Sequence, residues 1–186
     1  MKLCIGNMVS NRCRMIVKSE LEKYGLHFII VELGEVEVLE NLSAEQLDLI
    51  RAGLLKSGLL LLSDKKSILI EKIKNTIVGL IYYSDKPPKT NFSDFLSEKL
   101  GYDYTYMANV FSEVQGTTIE HYFINLKIER VKELLIYDEL NLTEISYKLH
   151  YSSVAHLSGQ FKKVTGLTPS YYKRMRNKKR NPIEKL

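Results

Sequence analysis

A chain of 186 residues, 45% hydrophobic and 26% charged, has room for two small packed domains. No apolar run approaches the roughly 18 residues of a membrane-spanning helix, and the start, with one lysine before a short strand-like stretch, lacks a secretory leader pattern, so a soluble cytoplasmic protein is expected. Two cysteines exclude a disulfide framework, and the net charge of +5 is unevenly placed: residues 1–63 carry 7 Lys/Arg against 8 Asp/Glu, residues 64–186 carry 20 against 14.

Leu3, Ile5 and Met8 begin a strand, after which Ile16, Val17, Leu21 and Tyr24 fall on one helical face that Gly25 closes. Residues 28–33 and 36–38 flank Gly34 as a hairpin, with Val31, Leu33, Val36 and Val38 as inward candidates. Ser43 with Gln46 forms a capping box, and Leu47, Ile50 and Leu54 repeat at helical spacing until Ser57-Gly58. Residues 59–62 make a last strand. The order βαββαβ predicts a ferredoxin-like unit over residues 1–63, an antiparallel four-stranded sheet with two helices on one face. On strand alternation Cys4 points away from that covered face.

Ile70, Ile73, Ile77, Leu80 and Ile81 predict a helix over 65–83, packed against a partner that the sequence does not reveal. Consecutive prolines in Ser84-Asp85-Lys86-Pro87-Pro88-Lys89-Thr90 then break the pattern, making 64–90 a connecting helix and linker.

From Asn91 onward the chain reads as helix throughout, with an internal repeat of offset 50. Phe111, Val114, Gly116, Thr118 and Tyr122 recur as Phe161, Val164, Gly166, Thr168 and Tyr172. Each unit is helix, turn, helix. The first has Phe92, Phe95, Leu96 and Leu100, the turn Gly101-Tyr102-Asp103, then Met107, Val110, Phe111 and Val114. In the second, Asn141 and Glu144 make a capping box, Leu142, Ile145 and Leu149 face inward, and Ser152 caps a helix carrying Leu157, Phe161 and Val164. A long helix over 118–136 separates the two units. The fold class expected is α+β: the N-terminal ferredoxin-like domain plus an all-α double helix-turn-helix domain. Residues 176–186 are expected to be a basic tail; from Lys162 onward nine basic residues face one acid, Glu184, the footprint of a polyanion partner.

Residues 145–153, 157–163 and 165–172 (ISYKLHYSS, LSGQFKK and TGLTPSYY) resemble the signature of AraC/XylS-type transcription regulators, over roughly residues 91–175. The resemblance implies double-stranded DNA as partner, RNA polymerase as a further one, and two second helices lying in the major groove. Matching positions are Thr105, Tyr106, Ala108, Asn109 and Ser112, and Ser153, Val154, Ala155, His156, Gly159 and Gln160. Of these, Asn109 and Gln160 have amides that can donate and accept together, as the N7 and N6 of adenine require. His156 can donate to guanine or to phosphate. Lys162, Lys163, Lys173 and Arg174 are expected on phosphates. Two departures from the family pattern stand out: His150 occupies a usual turn glycine, and Gly159 a position where a basic residue often reaches a base. Weaker discrimination by the second helix is expected.

Residues 1–63 also resemble a heavy-metal-associated domain, whose loop G-M-x-C-x-x-C holds Cu(I). Here Cys13 matches the second cysteine and Ser10 replaces the first, leaving a poor site for a soft ion. A lost site kept as an interaction module, a site completed by a second chain, and a serine engineered at a former cysteine are all compatible with this loop. A copper or heavy-metal carrier or sensor is thus the alternative function; otherwise no cofactor is expected. Paired carboxylates, a nucleophile with its base and a phosphate-cradling loop are missing, and His27, His121, His150 and His156 lack metal-ligand spacing, so no enzyme is expected.

Overall fold

In a computed structural model, the chain is described over residues 1–84, 86–137 and 140–178. The expected tail from residue 179 and the side chain of Val31 lie outside the described residues.

The first elements run β1 (Lys2–Gly6), α1 (Asn11–Glu22), β2 (Phe28–Glu32), β3 (Glu35–Val38), α2 (Ala44–Leu55) and β4 (Leu60–Leu62). The strands form one sheet in the order β2-β3-β1-β4. Every pairing is antiparallel, with Leu3 opposite Val36 and Ile5 opposite Leu61. Leu3, Ile5, Val36 and Val38 are buried with Val17 and Leu21 of α1 and Ile50 and Leu54 of α2. Cys4, one residue out of phase, is only partly buried. Each fully buried aliphatic side chain contributes about 1.5–3 kcal/mol, whereas exposed pairs such as Lys18–Glu22 contribute about 0–1 kcal/mol. This core, not the ion pairs, holds the unit together. The Ser43–Gln46 capping box forms in full, as expected.

α3 (Lys65–Tyr82) buries Ile70, Ile73 and Ile77. Polar contacts, invisible in the sequence, tie it to the β2–β3 turn and to the end of β1. Asn75 Nδ2 donates to the Leu33 carbonyl at 3.1 Å, Glu71 Oε2 accepts from the Asn7 amide at 3.2 Å, and Lys72 approaches Glu35 at 3.5 Å.

Six further helices follow among the described residues: α4 (Phe92–Leu100), α5 (Tyr104–Gln115), α6 (Ile119–Tyr137), α7 (Leu142–Lys148), α8 (Val154–Thr165) and α9 (Pro169–Lys178). Contacts group the chain into two compact units. One comprises Met1–Val78 with Lys89–Gly116, the other Gly79–Pro88 with the residues from Thr117 onward. Within the first, Lys66 of α3 forks onto Glu113 of α5 at 2.8 and 2.9 Å. Within the second, Tyr82 donates to Glu133 of α6 at 3.1 Å and lies beneath Arg130.

Two expectations need correction. The cap of α8 is Ser153, whose Oγ accepts from the His156 amide at 3.0 Å; Ser152 hydrogen-bonds the His156 ring instead. Val114 and Val164, expected on the inward stripes, are 47% and 40% exposed. The apolar period continues one turn past the point where each helix leaves its core.

Candidate nucleic-acid interface

The repeat read from the sequence is carried into three dimensions. Asp103 caps α5 and Ser153 caps α8, each accepting from the amide three residues on, and each helix stops at a left-handed glycine, Gly116 or Gly166. Equivalent positions therefore lie 50 apart. Met107, Val110 and Phe111 bury one face of α5, and Leu157 and Phe161 one face of α8. A helix with one face committed to its core presents the opposite one. On α5 that face exposes Thr105, Tyr106, Asn109 and Ser112, with Ala108 partly covered. On α8 it exposes Ser153, Ala155, His156, Gly159, Lys162 and Lys163, with Val154 and Gln160 partly covered. Arg174 of α9 is exposed and lies 5.8 Å from the Tyr171 ring; Lys173 is partly covered.

The turns leading into these helices differ. Gly101 ends α4 in the left-handed region at φ 74°. Before α8, His150 adopts φ 53°, so the side chain that replaces the expected glycine is held in the conformation that glycine would take. Tyr102 and Tyr106 stack with ring centroids 6.0 Å apart. At the equivalent positions, Ser152 Oγ and His156 Nδ1 are hydrogen-bonded at 2.9 Å. His156 is thus oriented by a partner rather than by water alone.

Asn109 and Gln160 are not equivalent. The counterpart of Asn109 is Gly159, while that of Gln160 is the buried Val110. Gln160 accordingly sits at the inner edge of its helix, with Oε1 accepting from the Tyr151 hydroxyl at 2.8 Å. That bond takes one lone pair of Oε1 and leaves the other, together with the Nε2 donors, for a base edge. Charge is also unequal: Glu113 occupies the position of Lys163. Its pairing with Lys66 offsets an acid that would otherwise repel phosphate.

Sequence reasoning missed two residues here, Tyr151 and Lys127. Tyr151 is buried, and burial pushes its phenol well above the usual range. The Lys127 ammonium lies 3.9 Å from the Tyr151 ring centre and 5.6 Å from that of Phe123, and burial pulls it down to about 8. A tyrosine in the turn run ISYKLHYSS was in view. Its contact with a lysine 24 positions earlier was not.

In the N-terminal unit, Cys13 Sγ lies 3.3 Å from Ser10 Oγ and 3.9 Å from the Asn7 carbonyl. Burial pushes this thiol up, but hydrogen bonds from Ser10 and the backbone outweigh it and leave the thiol below its ordinary range. Hard oxygens complete this surrounding, which does not fit a soft monovalent metal. Among the described residues no group of three or more His, Cys, Asp or Glu could hold a metal, and no helix is long and apolar enough to cross a membrane.

Each half of the repeat is a pair of helices whose second member is capped and has a buried inner and a polar outer face, the layout of a helix-turn-helix motif. Residues 96–175 match the helix-turn-helix domain family. An uncharacterized HTH-type transcriptional regulator from Staphylococcus aureus is 31% identical over 78 residues, covering 42% of this chain and 10% of that protein. The uncharacterized HTH-type transcriptional regulator YtdP of Bacillus subtilis (strain 168) is 23% identical over 106 residues, 57% of this chain and 14% of that protein. The match thus spans only a small part of the length of these relatives. Among solved structures, the C-terminal domain of AraT, a response regulator from Geobacillus stearothermophilus, superposes with a TM-score of 0.53 at 24% identity over 61% of this chain and 89% of that one. The DNA-binding domain of AdpA, a global transcriptional factor in complex with a target DNA, gives 0.51 at 16% identity over 60% and 95%. Both share the fold of the helical region.

Proposed function

We propose that this chain is a sequence-specific DNA-binding transcription regulator in which α5 and α8 read successive major grooves, with α6 as the relay between them. The observation that carries this reading is the duplicated plan of cap, buried face and polar outer face, 50 positions apart. On B-DNA, major grooves on one side recur about every 34 Å, the spacing that a protein reading two half-sites one turn apart has to match. Asn109 is the strongest candidate for reading a base edge; Thr105, Tyr106, Ser112, Ser153, His156 and Gln160 surround the same contacts. Lys162, Lys163, Lys173 and Arg174 supply phosphate contacts without sequence information. RNA polymerase is the further partner this function implies, and the cytoplasm its place.

For residues 1–63 we favour a ferredoxin-like unit that serves as an interaction or sensing module; the antiparallel order β2-β3-β1-β4 supports that architecture. The oxygen-rich surroundings of Cys13 count against metal carriage. Residues 64–90 are the connector, 91–175 the DNA-binding domain and 176–186 a basic extension.

Selection of bound fragments from random DNA, followed by band-shift titration, tests the reading. A salt-sensitive complex is expected, and Asn109→Ala should weaken the selected fragment by about 1–3 kcal/mol while sparing random DNA. No complex at low ionic strength removes the proposal, and equal loss on both DNAs removes the role of Asn109.

A further inference from the structure

α8 is tied to the rest of its unit by more than its apolar face. Tyr151 stands in the turn before it, buried, with its amide donating to the Ser146 carbonyl at 2.9 Å. From that fixed point its hydroxyl reaches forward to Gln160, and its ring meets His156 edge-on, at 5.3 Å between centroids and 85° between planes. The Lys127 ammonium, from the middle of α6, covers the Tyr151 ring. One buried tyrosine thus touches both long polar side chains that α8 offers to DNA before its basic last turn.

We propose that Lys127 and Tyr151 are positioning residues for DNA reading: the ammonium of Lys127 holds the Tyr151 ring so that its hydroxyl and edge preset Gln160 and His156 on α8. The inference rests on the DNA-binding function proposed above and names the parts that would set its specificity. A glutamine free on a helix surface samples several rotamers and must be immobilised to make a directional contact, whereas one already held by a hydrogen bond has less freedom to lose. A cation against the ring face is attracted by the ring quadrupole, so the contact orients the ring as well as packing against it. A purely space-filling role would be served equally by methionine. Burial opposes the charge on Lys127, and an apolar residue would avoid that penalty.

The experiment compares the full chain with Tyr151→Phe, Lys127→Met and Lys127→Arg on a fragment selected by the unaltered chain and on random-sequence DNA, across a salt series. Tyr151→Phe keeps the ring and removes only the hydroxyl. It and Lys127→Met should lower the ratio of selected to random affinity by about 3- to 10-fold, with random-sequence binding and its salt slope unchanged. Lys127→Arg, which keeps a stacking cation, should restore the ratio. In the free chain, the side-chain amide resonances of Gln160 should move in Tyr151→Phe. An unchanged ratio or unmoved amide resonances in Tyr151→Phe overturn the proposal. So does a Lys127→Met loss equal on both DNAs with a flatter salt slope, which would mark Lys127 as a phosphate contact. If Lys127→Met does not fold, Tyr151→Phe alone decides. Failure of the unaltered chain to bind any DNA is seen before a substitution is made, and overturns the DNA-binding function together with this refinement.

Discussion

Gly34 and Glu35 lie at the point where α3 meets the sheet, and each does a different job there. Gly34 adopts φ 87°, and a Cβ at that position would run into Asn75 Nδ2. Asn75 would then have to give up its bond to the Leu33 carbonyl while the backbone carried a side chain in a left-handed conformation. Gly34→Ala should therefore destabilise the chain by about 1–3 kcal/mol, read as a lower denaturant midpoint; an unchanged midpoint would mean that the hairpin shifts freely. Glu35 receives Lys2 at 2.9 Å and Lys72 at 3.5 Å. The hydrogen bond from Lys2, followed by the Lys72 charge and opposed by burial, holds its carboxyl below the usual range. A carboxyl depressed in the folded state stabilises fully above its unfolded value and loses that contribution as pH falls through the folded value. Glu35→Gln should thus be less stable than the parent at neutral pH, and the gap should close in acid. A gap that persists at pH 2 would show that the effect is not electrostatic.

At the scale of elements, α8 contains a weakness that α5 lacks. Gly159 lies in mid-helix, exposed, with open space where a Cβ would go. Glycine in a helix interior costs about 1 kcal/mol relative to alanine, so Gly159→Ala should raise stability by about that amount in chemical denaturation. No gain would indicate that the substitution meets a neighbour. Much of this level was legible in the sequence because its signals are local: Ser43 with Gln46, Asn141 with Glu144, and the terminal glycines specify helix ends through atoms three or four residues apart. Where two local solutions compete, sequence cannot choose. Ser152 and Ser153 both offer a capping hydroxyl, and only the register of the Leu157 and Phe161 face selects Ser153. Val114 and Val164 continue their stripes in sequence but lie outward, because periodicity does not record where a core ends. The docking of α3 through Asn75 and Glu71, and of Lys127 over Tyr151, involves groups far apart in the chain. No local pattern announces such contacts.

Taken whole, the molecule places its positive charge where a polyanion is expected: the net excess belongs to residues 64–186, while residues 1–63 are slightly acidic. Composition alone cannot say whether that excess only attracts DNA or also discriminates, but the two roles respond differently to salt. Phosphate contacts release condensed counterions, lowering the logarithm of affinity by about 0.9 per contact for each tenfold rise in salt. Directed contacts to base edges release none. Lys162 and Lys163, exposed in the last turn of α8, are proposed as contacts of the first kind. Removing either as Lys162→Ala or Lys163→Ala should weaken selected and random DNA alike and reduce the slope by about 1. Asn109→Ala should leave the slope intact and affect the selected fragment alone. Affinities of the three variants measured at four or more salt concentrations separate the two kinds of contact. A slope untouched by both lysine substitutions would mean that α8 does not approach the backbone at its basic end, and the reading of successive grooves would lose its second half.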